Sequence, residues 1–462
     1  MKKLILTFSL FFVLISCSDN LDRLPNDSLI AETAYQNYSD LQLGLNGVFG
    51  SYNHRNIITF NSIFTDECKI GADNGGQQVN LYNQVLDPQE GTSASIWTNH
   101  YTTINRANRI IEAAASITPS AADRAGYDNL LAQCYAIRAL CHFDLLNHFT
   151  KDTYNLTSVA VPYVDFVNTG VNLQRNTVTE VRDGILDDLD TAEALLSNTN
   201  VYFVTADFLD FLRSKIYFVT GNFPLAISHA DNVISSKPLA NRSEYVDLFT
   251  DSSNAEVVFK RRRIQTENFI GGIWFFTGTG GAFMEMSNKV YNTLNPSDVR
   301  SDVLFNAVDS DPSINLHLIN KYPGSSGFLY LNDEKVMRVS ELYLIKAECQ
   351  ARLTLYVDAA ATIKQIRDAR FGTSTVQDVY SNFADAATAI LAERFVELAY
   401  EGHRYVDVKR LRSAVNLGIV RDPADCGGAS PCVLGVTDHR FTLPIPQSEM
   451  DTNGNMTQND VY

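Results

Sequence analysis

The chain has 462 residues, which at about 150 residues per domain allows about three units or one large helical body. Hydrophobic residues at 45% and charged residues at 19% are ordinary globular proportions and exclude a disordered or fibrous chain. Lys and Arg number 37 against 53 Asp and Glu, a formal charge of −16 that excludes the clustered cationic surface nucleic acid requires.

Lys2 and Lys3 precede an apolar run from Leu4 to Ile15. That run is shorter than the roughly 20 residues that span a bilayer and has the length of a signal-peptide core. Leu14-Ile15-Ser16-Cys17 follows and resembles a bacterial lipobox. The resemblance implies a leader over residues 1–16, acylation of Cys17 and a mature protein tethered to a membrane. Ser18 stands where an aspartate would favour the inner membrane, which points to the outer one. A plain secretory leader with an incidental cysteine is the alternative.

Six cysteines remain. Cys426 and Cys432 bracket Gly427, Gly428 and Pro431, so the ends of this short loop can meet, and export makes the pair a disulfide candidate. A zinc site using His439 is the rival, but no second cysteine pair or proper histidine spacing completes it, and no metal or other cofactor is expected. Cys134, Cys141 and Cys349 fall on apolar helical faces and read as buried small hydrophobes.

Helical periodicity then dominates. Trp97, Tyr101, Ile104, Asn108, Ile111 and Ala115 step by four and three along one face, and Leu130, Cys134, Ile137, Cys141 and Leu145 form a second stripe beyond Pro119. The short polar break predicts an antiparallel hairpin. Thr177 and Glu180 make a capping box ahead of Val178, Val181, Ile185, Leu189, Ala192 and Leu196. Phe208 to Val219 is the next helix, stopped by Gly221, and Pro224 opens another with Ala226, Ala230 and Val233 inward. Helix, glycine turn and helix from Ala206 to Ile234 match a tetratricopeptide unit in size, and a further pair runs from Arg338 to Arg352 and from Asp358 to Arg370. Between about Asn241 and Lys335 the periodicity fails and glycines, prolines and aromatics alternate. Val257-Val258-Phe259 is a strand candidate there, and Lys260 to Arg263 reads as a solvated edge. The fold expected is therefore mainly α, tetratricopeptide-like helix pairs with long irregular insertions and a few short strands.

Motifs spread from end to end resemble the SusD/RagB family of nutrient-binding lipoproteins. They are Leu21-Asp22-Arg23-Leu24-Pro25 after the lipobox, Thr65-Asp66-Glu67, Trp97-x3-Tyr101-x2-Ile104-x3-Asn108, and Arg138-Ala139-x3-Phe143-x2-Leu146. Later come Arg338 to Glu348, Glu393-Arg394-x2-Glu397-Leu398-Ala399-x-Glu401-Gly402-His403-Arg404-x2-Asp407-x2-Arg410, Leu443-Pro444-Ile445-Pro446 and Asn455-x2-Gln458-Asn459. The resemblance implies four tetratricopeptide-like helix pairs in one body over residues 17–462, divided near 240 and 335 by the loop-rich insertion. It also implies an outer-membrane surface lipoprotein that passes captured oligo- or polysaccharide, or in a minority peptide, to a partner SusC-like TonB-dependent transporter. A helical-repeat scaffold lipoprotein is the alternative from a different class.

Sugar recognition needs flat apolar rings for C–H groups and planar amides or acids for hydroxyls. Asp73, Asn74, Gln77, Asn80 and Tyr82 cluster in one polar, glycine-containing loop, and Trp274, Phe276 and Tyr291 sit in the irregular insertion. A platform assembled from these two stretches is the expected site. Trp97 is a secondary candidate, because its helical stripe with Tyr101 and Ile104 favours burial. Glu393, Arg394, Glu397, Glu401, Arg404, Asp407 and Arg410 read as a partly buried ion network, since Phe395, Leu398, Tyr400 and Tyr405 are interleaved with them. Nucleophile-elbow, zinc-protease and P-loop motifs are absent from the sequence, so no enzyme is expected.

Overall fold

The computed structural model describes residues 34–276, 281–428 and 430–462. The expected leader, Cys17 and the Leu21–Pro25 motif lie outside the described residues.

Twelve helices of eight or more residues carry the described chain. They are α1 (Tyr38–Ser51), α2 (His54–Ile63), α3 (Gly91–Ala114), α4 (Arg124–Phe149), α5 (Val178–Leu195), α6 (Ala206–Val219), α7 (Phe223–Ser236), α8 (Arg242–Phe249), α9 (Val339–Arg352), α10 (Tyr356–Phe371), α11 (Phe383–Glu397) and α12 (Arg404–Val415). Successive helices pack as antiparallel pairs, α3 on α4, α6 on α7, α9 on α10 and α11 on α12, with α5 against α4 and α7 against α9. This is the tetratricopeptide-like arrangement that the periodicity predicts.

Local chemistry explains the ends. The Glu90 carboxylate accepts from Thr92 and Ser93 N–H at 2.9 and 2.6 Å, an anion on the positive end of α3. Thr177 and Glu180 exchange capping bonds at the start of α5. Gly221, at φ +84°, turns the chain between α6 and α7, and Pro224 occupies the first turn of α7, where its missing N–H costs nothing. Ile104, Ile137, Cys141 and Leu145 are fully buried between α3 and α4, and Cys134 and Cys349 are buried thiols, as their stripes require.

The irregular insertion departs from expectation at its start. Asn241 and Glu244 form a capping box and open α8, whose Tyr245, Leu248 and Phe249 join Val257, Val299 and Val303 in a small separate core. The capping signal was present in sequence, but only eight helical residues follow, too few for a period to stand out.

Among the described residues, four two-stranded antiparallel ladders tie the loops down. They pair β1 (Cys68–Ile70) with β3 (Met284–Met286), β2 (Val257–Arg261) with β6 (Glu334–Arg338), β4 (Gly324–Ser325) with β5 (Phe328–Leu329), and β7 (Ile419–Val420) with β8 (Val433–Leu434). Lys260 and Arg261 are not a solvated edge. Inside the β2–β6 ladder Lys260 pairs with Asp333 at 2.9 Å and Arg261 with Glu334 at 3.0 Å, both cations under a tenth exposed, and Arg263 also pairs with Glu334. Of the four positive residues only Arg262 is exposed.

The charged signature of α11 and α12 is a buried network. Arg338 reaches Glu256, Glu397 and Glu401, Arg370 reaches Glu256 and Glu397, and Arg300 reaches Glu393 at 2.6 Å. Arg404 clamps Asp66 with two bonds of 2.7 and 2.8 Å, which fastens α12 to the turn after α2.

A candidate ligand cleft

The β1–β3 register sets Cys68 opposite Met286 and Ile70 opposite Met284, so the loop leaving β1 lies beside the segment entering β3. Gly71 makes this approach possible. A Cβ there would stand 2.3 Å from the Ala282 carbonyl oxygen, and the Gly71 N–H instead donates to Phe283 O at 3.0 Å. Asp73 N–H donates to Ala282 O at 3.1 Å, continuing the contact. Two stretches two hundred residues apart thus form one rim, the pair of stretches from which the sequence predicts a platform.

Between them opens a cleft of about 500 Å³. Gln77, Gln78, Gln265, Glu267 and Asn268 supply its polar atoms, Arg55 from α2 its guanidinium, and Phe269, Phe275, Phe276 and Phe283 its rings. Phe276 tilts against Phe283 with centroids 5.1 Å apart, and Phe275 lies flat on Tyr330 at 4.5 Å and 2°. Gln78 holds a left-handed backbone, φ +56°, ahead of the one-turn helix Val79–Tyr82, a conformation that non-glycine residues adopt at a cost and that recurs at ligand sites. Gly271 permits the Phe269–Phe275 turn to press on Tyr330, to whose carbonyl its N–H donates at 3.1 Å. Burial draws the Arg55 guanidinium below its ordinary pKa, opposed by the neighbouring Glu334 carboxylate.

The other predicted residues separate into three groups. Gln77 and Phe276 line the cleft, while Asp73 and Asn80 are exposed on the same loop without lining it. Asn74 is buried and fully engaged as a clasp: its amide donates to Gln77 O and Phe283 O, both at 2.7 Å, and its oxygen accepts from Gly76 N–H. It shapes the loop and has no donor left for a ligand.

Tyr82, Trp274 and Tyr291 stand elsewhere. Tyr82 is fully buried, donates to Asp425 O and lies under the Arg421 guanidinium, 3.9 Å from its ring centroid. Trp274 is likewise fully buried, stacked on Tyr322 at 5.7 Å and edge-on to Tyr400 at 5.5 Å. Its place in an irregular segment suggested a surface ring; aromatics from two distant segments enclose it instead. Tyr291 is half-buried against His317, 3.8 Å away and nearly parallel. Burial, with Lys69 nearby, lowers the His317 pKa to about 4, so that ring is neutral at ordinary pH.

Trp97 floors a second and larger cavity of about 680 Å³, between α3, the 162–173 loop and the helical turn Gln447–Thr452. It is 3% exposed and donates to Glu449 at 3.4 Å, while the Tyr101 hydroxyl donates to Pro162 O. The rings and their polar atoms there are committed to packing, so the smaller cleft, with free amides and the part-exposed rings of Phe269 and Phe276, is the better candidate.

Cys426 and Cys432 form a disulfide with Cα atoms 5.3 Å apart. It closes a loop anchored to the segment after Tyr82, where Ser430 donates to Asn83 at 2.8 Å, and Asp425, just ahead of the loop, accepts from Asn288 N–H at 2.8 Å.

Arg55, Gln265, Asn268, Phe269, Phe275 and Phe283 were not foreseen. Gln265 to Asn268 form a polar run shortly after β2, beyond Ile264, a signal available in sequence; Arg55 gave none, being one cation in a helix.

Helix pairs as a frame, with a loop-built cleft that offers part-exposed rings and free amides, make the arrangement of a binding protein. Comparison with known proteins gives the family. Residues 262–462 match the SusD family model, and residues 19–207 match a second model described as starch-binding associating with outer membrane. The chain belongs to the SusD/RagB family. It is similar to SusD-like protein P2 of Formosa agariphila, 24% identical over an alignment covering 100% of this chain and 99% of that one. A SusD superfamily protein of Bacteroides thetaiotaomicron shares the fold at a TM-score of 0.79 and 22% identity, covering 91% of this chain and 99% of that one. A SusD-like carbohydrate binding protein of Bacteroides vulgatus does so at 0.73 and 18%, covering 91% and 98%.

Proposed function

We propose that this chain is a lipoprotein at the surface of the outer membrane that binds oligo- or polysaccharide without altering it and hands it to a TonB-dependent transporter. The observation that carries the reading is the cleft between the loop after β1 and the segment before β3. Phe269 and Phe276 offer apolar faces to pyranose C–H groups, and Gln77, Gln78, Gln265 and Asn268 offer paired donors and acceptors to hydroxyls. The carbohydrate binding named for the Bacteroides vulgatus protein and the outer-membrane association in the family description agree with it. The lipobox at Cys17 supports the tether, and family membership supports the transporter partner.

Release inward demands modest affinity. A few stacking contacts and hydrogen bonds amount to about 4–6 kcal/mol, a dissociation constant in the high-micromolar to millimolar range.

Affinity electrophoresis across a panel of polysaccharides tests the binding. Retardation by at least one, with no reducing ends released and with loss in Phe276→Ala, supports the reading; retardation by none removes it. Copurification of a large outer-membrane barrel with the tagged protein tests the handover. The cavity along α3 favours one rival, a scaffold whose ligand is another protein. Capture of a soluble envelope protein there, without glycan binding, would favour it.

A further inference from the structure

Arg55 is half-buried and lines the cleft, yet among the described residues its guanidinium makes one hydrogen bond, from Nε to Phe269 O at 3.3 Å, and no ion pair. Two other guanidiniums that have no carboxylate partner are saturated by oxygens. Arg421 donates to the carbonyls of Ile63, Phe64, Thr65 and Pro431, and Arg175 to those of Phe149, Ala160 and Thr457 and to the Asn459 side chain. The terminal fork of Arg55 has no such partners.

The charge around it does not balance. The carboxylate that acts on it, Glu334, is held by both Arg261 and Arg263, and Glu267 on the cleft wall pairs with Arg263 at 3.3 Å. Three guanidiniums therefore share two carboxylates. The adjacent His54 adds no charge, because burial lowers its pKa. A partly desolvated cation without a counter-charge is costly, and a planar fork with free N–H groups is the side chain best matched to a carboxylate or sulfate.

We infer that the cleft takes an acidic saccharide, its carboxylate or sulfate on the Arg55 fork, its rings against Phe269 and Phe276 and its hydroxyls on Gln77, Gln265 and Asn268. This rests on the glycan reading of the cleft and adds the substrate class. Arg55 is then the specificity-determining group: a neutral glycan would leave its charge buried and unpaired, and a site with an unpaired group discriminates strongly.

The test is affinity electrophoresis of the purified full chain in three arms: carboxylated polymers (alginate, polygalacturonate), a sulfated polymer (carrageenan) and neutral polymers (laminarin, amylose, galactomannan). The expected result is retardation by at least one acidic polymer and weaker retardation by the neutral ones. Arg55→Gln should cut the acidic affinity about tenfold or more, and Arg55→Lys should restore part of it. The carboxylated and sulfated arms tell which anion is read. Phe276→Ala leaves Arg55 in place and should weaken binding as well, and thermal melts of all variants control for folding. Retardation by neutral polymers alone overturns the acidic class while leaving the glycan reading intact. Retardation by no polymer overturns both, and acidic retardation unchanged in Arg55→Gln overturns the role of Arg55.

Discussion

Arg338 and Glu401 face each other in a two-pronged ion pair, Nε to Oε2 at 2.7 Å and Nη2 to Oε1 at 2.8 Å, each residue 2% exposed. The pair joins the end of β6 to the turn between α11 and α12, and Glu401 also holds Lys321 at 2.8 Å. Removing the carboxylate would leave two buried cations short of a partner. Glu401→Ala should therefore lower the free energy of unfolding by about 3–5 kcal/mol in urea titration; a loss below about 1 kcal/mol would show the network to be dispensable.

The same network sets an acid limit. Burial alone would raise the Glu401 and Asp407 carboxyls. Arg338 and Lys321 outweigh it at Glu401, as Arg394 and Arg410 do at Asp407, and hold both at about 2. A folded pKa below the unfolded value near 4 contributes stability that is present above about pH 4 and lost as pH falls towards 2. The melting temperature should drop steeply over that window. A flat profile from pH 5 to 2.5 would contradict this.

Glu67 acts in the opposite sense. Its burial is the largest influence and raises its pKa to about 8, against the opposing pull of the Ser62 hydroxyl, Arg404 and the Tyr400 N–H, which donates to one carboxylate oxygen at 3.3 Å. A raised acid stabilises the fold below its unfolded pKa and loses that contribution as pH climbs from about 4.5 to 8. Glu67→Gln should gain on the parent with rising pH, on the order of 1 kcal/mol per pH unit within that window. A constant difference between the two proteins would refute it.

The six-residue separation of Cys426 and Cys432 closes a short loop, so the chain-entropy contribution is at most about 2 kcal/mol. Cys426→Ser with Cys432→Ser should fold, melt a few degrees lower, and bind glycan more weakly because the brace on Asn83 loosens. Failure to fold would mean that the loop carries more than a brace.

Phe276 and Trp274 are two positions apart and should behave unlike each other. Phe276→Ala should cut glycan retardation with a melting change of a few degrees or less, whereas Trp274→Ala should cost about 3–5 kcal/mol through the cavity it leaves between Tyr322 and Tyr400. Comparable destabilisation by both would place Phe276 in the core.

The contrast between those two rings also marks how far sequence reasoning reaches. Helix pairs were legible because each buries one stripe, and the stripes of α3 and α4 are fixed by spacing alone. Bringing the loop after β1 to the segment before β3 was legible as an expectation of chemistry, not of geometry. Trp274 was misplaced because irregular backbone does not mean exposed side chains: Tyr322 and Tyr400 arrive from 48 and 126 residues later to cover it. Lys260 and Arg261 were misplaced for the same reason, since Asp333 and Glu334 reach them only through a strand pairing that local pattern does not encode. Arg55 was invisible because what marks it is a missing partner, a property of the fold and of no motif.

The central claim is that glycan is held at the rim formed by residues 71–80, 265–276 and 281–283. Hydrogen–deuterium exchange of the protein with and without a retarding polysaccharide tests it most directly. Slowed exchange confined to amides of 74–80 and 265–276 is the expected result. Protection along 97–109 and 168–173 with the rim unchanged would move the site to the α3 cavity and contradict the account.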